Sequence, residues 1–294
     1  MPGLFYFRVM TAEYTFKYAS YNGNLCDNDE PIIRADNRGF KYGDGLFETL
    51  RFVNGKVHLM DLHMDRLFKG LQLLEFELPE EPEAFTPAYI QESINILCRK
   101  NGHKVARVRI TVFRGDGGLY DPEDHFPNCI IQSWPLPEAG FQLNENGLVT
   151  GFYLHARKTM DMFSNLKNNN YLPYVMAALQ ATKQGWDDAF LLNTNGGVCD
   201  ATIANIFIIK DETIYTCPLE EGCVAGVMRR FLIDTLPAHG FRVIEKNLSQ
   251  EDVLAADEIF LTNAIKGIRW VERCGESSYT NRLSTAIFNK LLRK

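Results

Sequence analysis

The chain predicts an α/β protein with mixed sheets, divided into two domains. Two observations carry this reading. Strand-like and helix-like hydrophobic patterns alternate from Tyr14 to about Ser133 and again further on. Between them, Trp134-Pro135-Leu136-Pro137-Glu138-Ala139-Gly140 holds two prolines and a glycine that interrupt either pattern. The expected division is a smaller amino-terminal α/β domain over 14–133, a linker over 134–140 and a larger carboxy-terminal domain over 141–294.

In chain order, Phe47–Val53, Asn54-Gly55 and Lys56–Leu59 read as a hairpin, because Asn-Gly accepts the positive φ angles of a tight turn. Leucines at 62, 67, 71 and 74 predict an amphipathic helix, and Ile90–Arg99 predicts another, ended by Asn101-Gly102. Val105–Phe113 alternates as a strand with Arg107, Arg109 and Thr111 on one face, a candidate anion site. Beyond the linker, strands are expected near Leu148–Leu154, Ala189–Leu192 and Asn205–Ile209, with a hairpin at Asp211-Glu212. Helices are expected over Tyr171–Lys183, stopped by Gly185, and from about Met228 to Ala238.

With 294 residues and 46% apolar content, the chain can bury a substantial core. Its net charge of -6 is scattered, so no basic stripe argues for nucleic acid and no polybasic helix for a membrane surface. Small molecules and other copies of the chain are the expected partners. No apolar run reaches membrane-spanning length. The opening Met1–Met10 is apolar, but Arg8 interrupts it and no small-residue cleavage site follows, so no signal peptide is expected. Seven dispersed cysteines without a CxxC pair suit neither a disulfide framework nor a metal site and read as a reduced, cytoplasmic protein.

The chemistry concentrates between Asn165 and Phe207. Lys167 opens Lys-Asn-Asn-Asn-Tyr, and Asp200 follows a helix, a strand and a Gly196-Gly197 turn in Val198-Cys199-Asp200-Ala201-Thr202-Ile203-Ala204-Asn205-Ile206-Phe207. A lysine amine able to form an imine and a carboxylate placed for a pyridinium nitrogen are two of the parts that pyridoxal 5'-phosphate (PLP) requires. Its phosphate needs oriented N–H groups or a guanidinium. Gly226-Val227-Met228-Arg229 stands at a helix start, where backbone N–H groups welcome an anion, and Arg66 lies in Leu62-His63-Met64-Asp65-Arg66-Leu67. Lys158, in a polar segment, and Lys183, near a helix end, are rival imine formers without the Lys-x-x-Asn context.

These ordered blocks, with Gly39-Phe40-Lys41-Tyr42-Gly43-Asp44-Gly45-Leu46-Phe47-Glu48-Thr49 upstream, resemble the class IV aminotransferase family from about Tyr14 to Ile268. These fold type IV PLP enzymes include branched-chain and D-amino-acid aminotransferases and aminodeoxychorismate lyases. The resemblance implies a two-domain fold like that of D-amino-acid aminotransferase, PLP as cofactor and a homodimer in which a loop such as Gly115–Pro122 serves the other chain's pocket. It gives Lys167 the covalent attachment and the later removal of the Cα proton, and Asp200 the ring nitrogen, at a place where the family usually has glutamate. Arg66 and the amides of Val227 and Met228 inherit the phosphate, with Met228 where a hydroxyl residue is usual, and Asn263 and Ala264 inherit further cofactor contacts. Tyr42 and Phe47 match pocket-lining positions, Arg109 the arginine near the substrate carboxylate, and Thr49 the threonine that lyases place near the reacting Cα. Gly117, Gly118 and Leu119 stand where D-amino-acid aminotransferases carry an arginine, which weighs against a D-specific enzyme.

The expected activity is amino transfer between an amino acid, of branched-chain type, and a 2-oxo acid. The alternatives are an aminodeoxychorismate lyase releasing pyruvate and 4-aminobenzoate, and a non-catalytic PLP-binding protein.

Overall fold

The computed structural model describes residues 16–79, 85–138 and 140–293, so the Met1–Met10 segment lies outside the described residues. The chain divides into two compact units. The first takes residues up to 138 together with Leu166–Asn170, and the second takes 140–165 and 171–293.

The first unit is built on an antiparallel six-stranded sheet. Its strands are β1 (Tyr18–Tyr21), β2 (Asn24–Asp27), β3 (Gly45–Val53), β4 (Lys56–Val57), β5 (Val105–Arg114) and β6 (Pro127–Pro135), in the order β2-β1-β6-β5-β3-β4. Asn54 and Gly55, at φ 46° and 85°, make the tight β3–β4 turn that Asn-Gly promised. Helices α1 (Arg38–Tyr42), α2 (Met60–Leu73) and α3 (Pro87–Lys100) complete the unit. The period of two decides the packing. Leu46, Leu50 and Phe52 of β3 and Val108, Ile110 and Val112 of β5 point into one core with Leu67 and Leu71 of α2 and Ile90, Ile94 and Leu97 of α3. The opposite face is left to Phe47, Thr49 and Arg51, which pair with Thr111, Arg109 and Arg107.

The interrupting segment is shorter than the sequence implies. Trp134 and Pro135 belong to β6, paired with Arg107 and Ala106, because Pro135 closes the strand where its missing N–H costs no ladder bond.

The second unit carries a mixed nine-stranded sheet. It contains β7 (Leu148–Lys158), β8 (Asp188–Asn193), β9 (Val198–Ala201), β10 (Asn205–Lys210), β11 (Thr213–Thr216), β12 (Arg242–Glu245), β13 (Glu258–Asn263), β14 (Gly267–Cys274) and β15 (Ser277–Ser278). Their order is β12-β11-β10-β13-β14-β7-β8-β9, with β15 on β14. Helices α4 (Leu172–Gln184), α5 (Val227–Thr235), α6 (Gln250–Leu254) and α7 (Arg282–Leu291) flank it. Gly185 ends α4 at φ 71°, as a C-terminal glycine should. Helix α5 stops at Thr235, short of Ala238, because Pro237 opens a separate 3-10 turn. All seven cysteines are free thiols. Among the described residues no helix is long and apolar enough to cross a membrane.

Candidate active site

Lys167 joins the first unit through its backbone. The Phe47 N–H donates to the Lys167 carbonyl at 2.9 Å and the Asn169 N–H to the Gly45 carbonyl at 3.1 Å, while Leu46 and Asn168 form an antiparallel bridge. The segment therefore lies along β3 as a short extra strand. The side chain follows: Lys167 Nζ lies 4.5 Å from the centre of the Phe47 ring. The Arg109 guanidinium lies 3.9 Å from the same ring, and its Nε donates to Thr111 Oγ1 at 3.1 Å. Thr49 sits directly opposite Arg109 in the ladder, hence on the same face. Lys167, Phe47, Thr49 and Arg109 are thus gathered on one face of one sheet, an amine and a guanidinium against one aromatic ring, where a carboxylate is welcome.

Tyr42, at the end of α1, belongs to a neighbouring device. Buried Arg38 donates to the carbonyls of Gly117 (3.1 Å), Leu119 (2.7 Å) and Tyr120 (3.2 Å) and to Asp44 (3.0 Å), pinning the loop after β5. The Tyr42 ring packs 5.7 Å from that of Tyr120.

Arg66 is engaged from the core side of the sheet. Its Nε and NH2 groups donate to the two oxygens of Glu48 at 2.7 and 2.5 Å, a bidentate pair, and His63 Nδ1 meets the same carboxylate at 2.7 Å. Glu48 is only 1% exposed. Burial alone pushes its carboxyl up, but Arg66 and His63 outweigh it and hold it at about 2. Burial lowers His63 against the pull of Glu48. Its Nε2 has no hydrogen-bond partner among the described residues, which suits a neutral ring donating from Nδ1.

In the second unit Asp200, 1% exposed on β9, is surrounded by donors. Lys158 Nζ (2.6 Å), Tyr174 OH (2.9 Å) and the Val224 N–H (3.0 Å) reach Oδ2, and Asn205 Nδ2 (2.9 Å) reaches Oδ1. Lys158 corrects the sequence reading. It lies not in a polar segment before the helix but at the end of β7, where it is buried. A register irregularity between Tyr153 and Arg157 turns it inward, and a strict period of two cannot count through such a shift. Burial lowers the Lys158 ammonium, yet the Asp200 charge prevails and raises it. The Asp200 ion pair favours the charged form of Lys158 over the neutral amine that an imine former needs.

The same unit presents an uncapped helix start, where an anion is favoured. Helix α5 begins at Val227 after Gly226, with no side chain capping it, so the N–H groups of its first turn have no intrahelical acceptor. The side chains of Val227 and Met228 are buried and only their amides are available to an anion. Gly226 is required here, since a Cβ would lie 1.8 Å from Asn205 Oδ1, and Asn205 is anchored to Asp200 and to the Val224 carbonyl. Thr262 stands opposite Asn205 in the ladder, and its buried Oγ1 has no hydrogen-bond partner among the described residues. An unsatisfied hydroxyl beside an uncapped helix start fits a phosphate group. Asn263 is otherwise occupied: its Oδ1 accepts from the N–H groups of Ile265 (3.1 Å) and Lys266 (2.9 Å), leaving Ala264 a backbone role in that turn. Glu48, Lys158, Tyr174 and Thr262 went unmarked by sequence motifs or were misplaced by them.

Gly226→Ala tests this helix start. Overpacking of about 1–3 kcal/mol against an anchored neighbour should weaken PLP binding by about tenfold or more, read by equilibrium dialysis of the apoprotein against PLP.

A family model described as amino-transferase class IV matches residues 45–274. A putative branched-chain-amino-acid aminotransferase of Methanocaldococcus jannaschii is 31% identical over 244 residues, 82% of each chain. An aminodeoxychorismate lyase of Vibrio harveyi is 28% identical over 259 residues, 87% of this chain and 92% of that one. Among solved structures, a branched-chain aminotransferase from Thermoproteus uzoniensis, determined with norvaline, superposes with a TM-score of 0.83 at 24% identity. That match covers 93% of this chain and 92% of the other.

Proposed function

Because the chain belongs to the class IV aminotransferase family, whose members are PLP-dependent aminotransferases and lyases, we propose that it is an aminotransferase acting on branched-chain amino acids and 2-oxo acids with PLP held on Lys167. The observation that carries this is the placing of Lys167 Nζ and the Arg109 guanidinium over one ring, Phe47. Arg66, the first-turn amides of Val227 and Met228, Thr262 Oγ1 and the Asn263-Ala264 turn would hold the cofactor, with Asp200 toward its ring nitrogen. When bound, PLP supplies an aldehyde that takes the substrate's amine and a ring that withdraws electrons from Cα. The Lys167 amine would accept the Cα proton and later return one. Arg109 pairs with the substrate carboxylate, and Phe47 gives its side chain an apolar wall.

A second reading, the lyase, is favoured by Thr49 facing Arg109 on the same surface and by the Vibrio relative. One assay separates the two. L-Leucine with 2-oxoglutarate should yield glutamate, whereas pyruvate and 4-aminobenzoate from aminodeoxychorismate would favour the lyase. Failure with every amino donor would remove the first reading.

The proposal includes a homodimer. Helix α4 exposes Leu172, Val175, Met176 and Leu179, at 71, 50, 43 and 50%, at the spacing of one helical face, a stripe that a second copy would cover. Light scattering should give twice the chain mass, and Val175→Glu with Leu179→Glu should give the monomer. A monomeric wild type would contradict the assembly.

A further inference from the structure

Asp200 does not meet its surroundings as a lone carboxylate. Lys158 Nζ lies 2.6 Å from its Oδ2 and 2.6 Å from the Gly222 carbonyl, with both side chains almost wholly buried. Tyr174, Asn205 and the Val224 N–H supply three more donors. Three donors meet Oδ2 and one meets Oδ1, which keeps a lone-pair direction open. The carboxylate cannot turn, and its charge is balanced by a cation in contact.

We propose that Lys158 is the charge partner and positioning residue of Asp200, so that an ion pair, rather than a lone carboxylate, sets the field at the cofactor's ring nitrogen. This rests on the PLP reading above. The pair also fixes the loop leading to α5, because the Val224 N–H donates to the oxygen that Lys158 holds and the Gly222 carbonyl accepts from Lys158 itself. Burial and the Asp200 charge push the Tyr174 phenol well up, so it remains a donor. Tyr171, Cys199, Cys217 and Cys223 are the other titratable groups whose charges would bear on Lys158, Tyr174 and the neighbouring thiols.

The test uses the purified holoenzyme and reads the pH at which the yellow cofactor band is half lost. Removing a cation favours a positively charged chromophore and removing an anion disfavours it. Lys158→Met should therefore move the midpoint up by about one unit, Asp200→Asn should move it down, and Lys158→Met with Asp200→Asn should return it toward wild type. Lys158→Arg should keep it. Melting of the PLP-free proteins gives a second readout: Lys158→Met should melt about 10 °C lower, and the double variant should recover most of that loss. If Lys158→Met does not fold, the opposite movements of Asp200→Asn and the double variant decide. Midpoints that stay fixed in folded, yellow variants would overturn the pairing alone. A wild type without the band would overturn the PLP reading and the pairing with it.

Discussion

Lys167→Ala is expected to give a colourless protein whose amino-transfer rate falls by about 1,000-fold or more, because the amine proposed to anchor the cofactor is also the one proposed to move the Cα proton. The fold should survive. The segment is fastened to β3 through the carbonyl of Lys167 and the N–H of Asn169, groups that alanine preserves. Circular dichroism and melting close to wild type, together with loss of colour and turnover, would assign the defect to the ε-amine. A yellow, active Lys167→Ala protein would transfer the chemistry to another lysine.

The second large effect concerns stability. Glu48 is shared by Arg66 and His63 in a buried cluster, and removing it takes from a guanidinium and an imidazole the acceptor they have in common. Glu48→Ala is expected to cost about 3–5 kcal/mol and lower the melting temperature by about 10 °C. The pH dependence has a definite sign. The carboxyl is held at about 2 in the fold against an ordinary 4.5. Its contribution of about 3 kcal/mol is therefore complete above pH 4.5 and lost as pH falls toward 2. Wild type should lose stability steeply over that window, and Glu48→Ala, already weakened, should show a shallower fall. Parallel curves for the two proteins would contradict the role assigned to Glu48.

Much of the architecture was legible because local signals agreed with the packing. Asn54-Gly55 gave the hairpin, and the alternation along Val105–Phe113 sorted Arg107 and Arg109 from Val108 and Ile110. The face shared by Phe47, Thr49 and Arg109 follows from that period. What joined Lys167 to it was a pair of backbone hydrogen bonds between segments about 120 residues apart, which hydrophobic pattern does not encode. The Glu48–Arg66–His63 cluster was hidden for a related reason: an arginine and a histidine on a helix read as surface charges until a strand places a carboxylate beneath them. Lys158 was misjudged because the strand leading to it shifts register, and Thr262 carries no motif, its meaning coming only from Asn205 across the ladder.

Lys167 is the proposed covalent anchor of the cofactor. Borohydride reduction of the yellow protein, followed by digestion and mass spectrometry of the peptides, reads it directly. The pyridoxyl mass is expected on Lys167. The same mass on Lys158, or on no lysine of the chain, would contradict it.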